Sequence, residues 1–496
     1  MNNTLSKRQS GILMHPSSLP GLFGIGTLGQ NARDFIDTMA EAGQTVWQIL
    51  PLNSVGGNGS PYNSYSAFSG DPRLIDPADL LKSGLLKSVE TLISSVSGTI
   101  DHATVQNNIS QIATEVLNHL DDNRVLQKQF LLFQQKERAW LYPHALFTVI
   151  TEHLGTSEWN SWPEKLRNHD ARTLTQFEKE HEQNIQKAMV LQWLFFHQWM
   201  QLKEYANSRN ITLFGDMPIY VSHRSADVWW HQNLYLLDKQ GVPTEVAGVP
   251  PDYFAKTGQL WGNPLYHWKN HKKEKFSWWI SRFKHLFTLY DIVRVDHFRG
   301  FDACWAIPID SETAETGSWL SSPGKELFTA LFDACGSLPI VAEDLGNITP
   351  EVIALRDTFH FPGMSVLQFA FSGEAENIFL PHNFSKNTVC YTGTHDNNTT
   401  KGWYESIPEH ERNFFNYYGD MHWGEDASWK MIRLSLMSVA RLAITPMQDI
   451  LNLGEECRLN LPGTVSEKNW SWRMRDAQFN QDIIEKLKEL TRISNR

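Results

Sequence analysis

The chain has 496 residues, a formal net charge of −11, 41% hydrophobic and 20% charged residues. These values fit a globular protein with a large core, and with no basic run they exclude a nucleic-acid partner. No apolar run approaches the roughly 18 residues of a bilayer span, and the polar amino terminus lacks the stretch of a signal peptide, so a cytoplasmic protein without a membrane partner is expected.

Taken in order, short apolar runs predict buried parallel strands, each followed by a turn and usually a helical pattern. The first is Gly11–His15 and the second Thr45–Leu52. Between them Gln30–Gly43 has the spacing of an amphipathic helix closed by glycine. The third strand is Ile211–Val221, and the fourth begins at Asp291. Further strands begin at Pro339, Met364, Val389 and Leu442, the sixth running to Phe371 and the eighth to Leu451. Eight such strands predict an α/β protein, a single (β/α)8 TIM barrel over 1–496. Two intervals exceed simple crossovers. Residues 58–210 predict a mainly helical inserted subdomain, with a polar stretch at 83–123, a helix over Arg124–Arg138 and one long helix over Leu174–Arg209. Residues 222–290 predict a second insertion carrying a lid loop at 247–255. Both leave from the strand C-termini, where barrel loops carry chemistry. A last helix, Asn480–Arg492, is expected on the outside.

Three of the apolar runs end in an acid. Asp296 follows the fourth strand, Glu343 the fifth and Asp396 the seventh, so all three are expected at one barrel mouth. Each stands beside a second polar residue: His297, Asp344 and His395. Alternation along the fourth strand puts Arg294 and Asp296 on the same side. Two carboxylates flanking a scissile bond are what glycoside chemistry requires, one as nucleophile or base and the other as a proton donor. Arg294 should keep Asp296 ionised, which suits a nucleophile. Glu343, after an apolar Ile-Val-Ala run, is the candidate for a raised pKa and the acid/base role. Asp396 with His395 could grip sugar hydroxyls and stabilise an oxocarbenium-like centre. The 19 Trp, 27 Phe and 13 Tyr add flat faces on which sugars stack.

No metal and no cofactor is expected. The His residues form no HxH or HExxH pattern, no phosphate loop or dinucleotide fingerprint occurs, and Cys304, Cys335, Cys390 and Cys457 are too scattered for a CxxC site. They read as reduced core thiols.

Arg294-Val-Asp296-His297-Phe-Arg-Gly, Ala342-Glu343-Asp344-Leu-Gly and Thr394-His395-Asp396-Asn397 resemble three motifs of the 4-α-glucanotransferases, the amylomaltase or disproportionating-enzyme family. So do His15-Pro-Ser-Ser-Leu-Pro, Ser60-Pro-Tyr62-Asn-Ser-Tyr, Gly215-Asp216-Met-Pro, Gly248-Val-Pro-Pro-Asp252-Tyr-Phe, Gly258-Gln259-Leu-Trp261-Gly-Asn-Pro and Asn460-Leu-Pro-Gly. The likeness runs nearly end to end and in matching order. It implies a retaining transferase acting on α-1,4-glucans and maltooligosaccharides, with glucose among the acceptors. Asp296 would be the nucleophile, Glu343 the acid/base and Asp396 the transition-state stabiliser. Arg294, His297 and His395 would hold the sugar in the cleaved subsite. Asp252 would arch over the cleft in its loop, and Trp261 and Tyr62 would line the glucan path. Gln259, Asp216 and Asn460 complete the substrate-binding set that the resemblance implies. The other readings are a retaining hydrolase of the α-amylase kind and a non-catalytic glucan-binding protein; a monomer or small homo-oligomer is expected.

Overall fold

A computed structural model describes residues 5–56, 59–94, 96–251, 256–420 and 425–496. Eight parallel strands form one sheet in the order β10-β11-β12-β1-β2-β3-β6-β9, where β1 is Gln9–Leu13, β2 Val46–Gln48, β3 Thr212–Met217, β6 Ile292–Val295, β9 Ile340–Ala342, β10 Gly363–Val366, β11 Thr388–Tyr391 and β12 Leu442–Pro446. These are the eight predicted runs. The strands are shorter than expected because the chain turns at the barrel mouth: Pro218 follows β3, and β12 ends at Pro446 before the helix Met447–Ile450.

The last seam, between β9 and β10, closes without a ladder. The Ala342 N–H donates to the Pro362 carbonyl at 2.9 Å, and the side chain of Asp344 bridges the gap. Its Oδ1 accepts from the Met364 N–H at 2.7 Å while Arg356 donates to its Oδ2 at 2.5 Å. Gly363 is required there, because a Cβ would run into the Asp344 carboxylate. Asp344, which the sequence places beside Glu343, is therefore a seam residue that stitches the barrel shut.

The helical insertion contains two surprises. The polar stretch 83–123 holds the helix His102–Asp122, capped by Asp101, whose carboxylate accepts from the Thr104 N–H. Val105, Ile112, Val116 and Leu120 are buried beneath an otherwise polar surface. The single long helix expected over 174–209 is two, Ala171–Glu180 and Glu182–Ser208, broken at His181. The His181 ring packs on Phe177 at 4.2 Å and His153 at 4.7 Å, a contact made at the break.

A second, antiparallel sheet stands over the mouth in the order β5-β4-β7-β8, with β4 Glu245–Val249, β5 Gln259–Pro264, β7 Ala303–Pro308 and β8 Ser318–Ser321. It joins the second insertion to residues that follow β6. The last helix, Gln481–Ile493, packs on the helices Gln30–Glu41 and Ala427–Met437 outside the barrel. Among the described residues no helix is long and apolar enough to cross a membrane.

At the opposite, N-terminal face of the barrel, the Arg496 guanidinium donates to the carbonyls of Leu436, Gln9 and Ala440 at 2.7–2.8 Å. Arg8 donates beside it to Ser438 and Leu436. Truncating Arg496 takes this donor from the Gln9 and Ala440 carbonyls and leaves Leu436 to Arg8 alone, so Arg496→Ala is expected to lose about 2–3 kcal/mol in urea unfolding with kcat unchanged. A midpoint equal to that of the wild type would refute the brace.

Candidate active site

The C-terminal ends of β6, β9 and β11 open on one mouth and present the three acids. Asp296 follows β6 directly, and its N–H donates to the Met217 carbonyl at the end of β3. His297 then takes a left-handed backbone conformation, φ 48°. That turn aims its N–H at Glu343, donating to Oε2 at 2.7 Å, while the Leu345 N–H donates to Oε1 at 3.0 Å. A non-glycine residue held there stores backbone strain, and here the strained peptide fixes a carboxyl group. The Phe298 N–H to the Glu343 carbonyl, 3.0 Å, ties the same two strand ends together.

Behind Asp296 lies a polar stack. Arg294 donates from Nη2 to Asp296 Oδ1 at 2.5 Å and from Nε to Asp216 Oδ1 at 3.0 Å. The Tyr62 hydroxyl donates to Asp216 Oδ2 at 2.6 Å. The side chains of Arg294 and Asp216 are 4% and 0% exposed, against 30% for Asp296 and 45% for Asp396. The two acids face the cleft; Arg294 and Asp216 sit beneath them. Asp216 was expected to bind substrate, but its wholly buried carboxylate balances and orients Arg294 instead. Gly215 lets the Tyr290 ring lie flat against β3 at this point, where a Cβ would collide with it.

Asp396 is held from its other side. His395 Nε2 lies 3.3 Å from Oδ2, and Asn460 donates to Oδ1 at 2.6 Å. Tyr62 stacks on the His395 ring at 5.1 Å and 12°, so this tyrosine supports a histidine. Trp470 packs against both rings at 5.8 Å. His297, Trp261 and Gln259 form a neighbouring group. Trp261 is 37% exposed, meets His297 edge-on at 4.8 Å and donates from Nε1 to Gln259 at 3.2 Å. Asp252 lies outside the described residues.

The electrostatics separate the acids. Burial pushes Glu343 up to about 8, the Asp296 charge adds to the rise, and Arg294 pulls the other way. Burial also raises Asp296, to about 6, against the pull of Arg294. Arg294 was expected to keep Asp296 ionised; the guanidinium pulls Asp296 below Glu343 but does not cancel its desolvation. The two titrate as a pair, with Glu343 the later to lose its proton. Burial acts on Asp396 too, yet the His395 charge, the hydrogen bonds from His395 and Asn460 and the charge of Arg294 bring it down to about 2. Burial lowers His297 to about 3, so its ring is neutral at working pH.

At neutral pH Glu343 is therefore protonated while Asp296 and Asp396 are carboxylates, the arrangement that proton donation and ion stabilisation at a glycosidic bond require. Among the described residues no group of three or more His, Cys, Asp and Glu could hold a metal ion. Residues that the sequence did not single out are Arg458, Trp470 and Asp449. The Asp449 carboxylate accepts from the Thr392 and Thr400 hydroxyls and the Thr400 N–H at 2.6–2.7 Å, pinning both ends of the loop that carries Asp396. The acid within Pro446-Met-Gln-Asp449, just after a strand, was the available signal.

Comparison with known proteins agrees. A family model described as 4-alpha-glucanotransferase matches residues 14–479. The chain is 45% identical to the 4-alpha-glucanotransferase of Synechocystis over 99% of each chain, and 42% identical to that of Thermus thermophilus, again over 99% of each. The solved amylomaltase from Streptococcus agalactiae in complex with acarbose has a TM-score of 0.96 at 37% identity, covering 99% of this chain and 100% of that one. On these matches, full-length and joined to the barrel and its three acids, the chain belongs to the 4-alpha-glucanotransferase family.

Proposed function

We propose that the chain moves α-1,4-glucan segments from a donor maltooligosaccharide to the 4-hydroxyl of an acceptor sugar, glucose included, by a retaining double displacement. The observation that carries this reading is the pairing of Asp296, bonded to Arg294, with Glu343, fixed by two backbone N–H groups and protonated at neutral pH. In the first step Glu343 gives its proton to the glycosidic oxygen as the C1–O bond breaks and Asp296 bonds to C1. In the second, the acceptor 4-hydroxyl loses its proton to Glu343 while its oxygen attacks C1 and frees Asp296. Asp396, held ionised by His395 and Asn460, faces the positive charge that develops on the ring. His395 and His297 hold the sugar between them, and Trp261 offers an exposed ring for the path beyond.

Transfer rather than hydrolysis requires an acceptor hydroxyl held in place and water kept out. The antiparallel sheet over the mouth supports this, because the expected lid segment 247–255 begins within β4, and its other described residues lie between β4 and β5. We assign the work to a cytoplasmic monomer or small homo-oligomer that uses no metal.

The test is pure maltotriose without added metal. Longer oligosaccharides plus glucose at constant total reducing ends mean transfer; rising reducing ends without longer products mean hydrolysis, and no turnover returns the binding-protein reading.

The pH profile tests the roles. Below about 6 Asp296 gains a proton and stops being a nucleophile; above about 8 Glu343 loses the proton it must donate. A bell-shaped kcat/KM with limbs near these values is expected. A profile flat through pH 9 would remove Glu343 from the acid role.

A further inference from the structure

We infer that Arg458 is a positioning residue for Asp396, a guanidinium clamp that sets the third acid through its main chain; this rests on the catalytic reading proposed above. Arg458 lies 62 positions from Asp396 in sequence. From Nη2 it donates to the Asp396 carbonyl at 2.5 Å, and from Nε to the Asn460 carbonyl at 2.7 Å. Asn460 in turn donates from its side chain to Asp396 Oδ1 at 2.6 Å. One cation thus fixes the peptide of Asp396 and, at once, the backbone of the residue that orients its carboxylate. Three hydrogen bonds close a ring, Arg458–Asp396–Asn460.

The rest of the loop explains why such a clamp is required. Thr392 and Thr400, at its two ends, are pinned to Asp449. Thr394 closes a local turn on Asn397. Asp396 stands at the apex between these anchors, with a side chain 45% exposed to the cleft. The clamp itself is anchored: Leu459 is buried, and its carbonyl accepts from the Trp470 N–H at 2.7 Å. Trp470 packs on His395, the other partner of Asp396. The segment 458–470 therefore braces His395 and Asp396 from outside the barrel strands.

The geometry also explains the residue type. Two carbonyls approached from different nitrogens of one planar group demand the fork of arginine; an ammonium is a point charge on a flexible stem and cannot hold both in the same directions. A full positive charge under the Asp396 peptide adds to the potential that keeps the carboxylate ionised. Asp396 acts in the transition state, when charge develops on the sugar, so its displacement should lower kcat more than it raises KM.

The experiment uses the full chain with maltotriose as probe and compares Arg458→Lys, Arg458→Ala and Asp396→Asn. Arg458→Lys is expected to lose about 10- to 100-fold in kcat with KM changed little, since a misplacement of about 1 Å costs that order. Guanidinium chloride at millimolar concentration should return part of the lost kcat to Arg458→Ala. In an Asp396→Asn background the Arg458→Lys change should cost almost nothing further, because the two act as one unit. A merely structural role predicts the reverse: a lower unfolding midpoint, undiminished kcat per folded molecule, no guanidinium rescue and additive losses. If Asp396→Asn is crippled while Arg458→Lys turns over normally, the clamp is wrong. If Asp396→Asn itself turns over normally, the catalytic reading beneath it is wrong. Should Arg458→Ala fail to fold, Arg458→Lys, compared in the wild-type and Asp396→Asn backgrounds, decides the question with the same kcat and KM readouts.

Discussion

Glu343→Gln is expected to lower kcat on maltotriose by about 10²–10⁴-fold, the range that a positioned proton donor contributes. The reason lies in the leaving group. A sugar oxygen departs poorly as an alkoxide, and of the three acids Glu343 is the one pushed high enough, to about 8, to arrive protonated at neutral pH. The amide keeps the shape but has no proton to give, and it turns an NH2 toward one of the two N–H groups, of His297 and Leu345, that now share the carboxyl. A donor whose leaving group needs no proton separates these effects. With α-maltosyl fluoride the C–F bond breaks to fluoride unaided, so the variant should still form its glycosyl-enzyme. The second step still needs a base, which glutamine is not. The expected result is a burst of fluoride of one equivalent per site followed by near silence, with a maltosyl mass increment on Asp296. Equal loss on both donors, without a burst, would mean that Glu343 serves binding or folding instead.

What the sequence shows and hides at this site divides along one physical line. The eight barrel strands are legible because a strand buried on both faces must be apolar throughout, and its end at a polar mouth then shows as an abrupt acid. Asp296, Glu343 and Asp396 stand out for that reason, and Arg294 is placed beside Asp296 by strand alternation alone. Groups that act across the fold leave no such mark. Arg458 reaches Asp396 over 62 positions and Tyr62 reaches Asp216 over 154, and neither spacing repeats any local period. Burial is hidden in the same way: the pull of Arg294 on Asp296 follows from two residues on one strand, but the desolvation that outweighs it comes from the whole surround. The helix His102–Asp122 shows a third failure. Its buried Val105, Ile112, Val116 and Leu120 keep helical spacing, yet they are too few among Asn, Gln, Ser and His for composition to reveal them. Aromatic residues hide their protein partners in the same way, since nothing local pairs Tyr62 with His395, on which its ring is stacked.

Asp296→Asn is the most damaging single change expected, about 10⁴-fold or more in kcat, because a nucleophile removed from a unit takes most of the unit with it. An amide forms no glycosyl ester. It also alters both of its neighbours. Arg294 keeps its bonds to Asp216 and Tyr62 but faces the cleft with one negative charge fewer, so a cationic transition state meets a more positive floor. Glu343 loses the charge that helps to raise it, and its proton should come off at lower pH than in the wild type. The sign is fixed: less negative charge nearby favours the ionised carboxyl. Carboxyl-labelled NMR titration of Glu343 in the variant would read this directly, as a midpoint displaced downward from about 8. Asp296→Ala supplies the complementary result. With the carboxylate gone, azide can enter the vacated space, attack C1 of α-maltosyl fluoride and leave a β-maltosyl azide, the inverted configuration that a missing nucleophile dictates. Retention of turnover within tenfold of the wild type, or an unmoved Glu343 midpoint, would each contradict Asp296 as the nucleophile paired with Glu343.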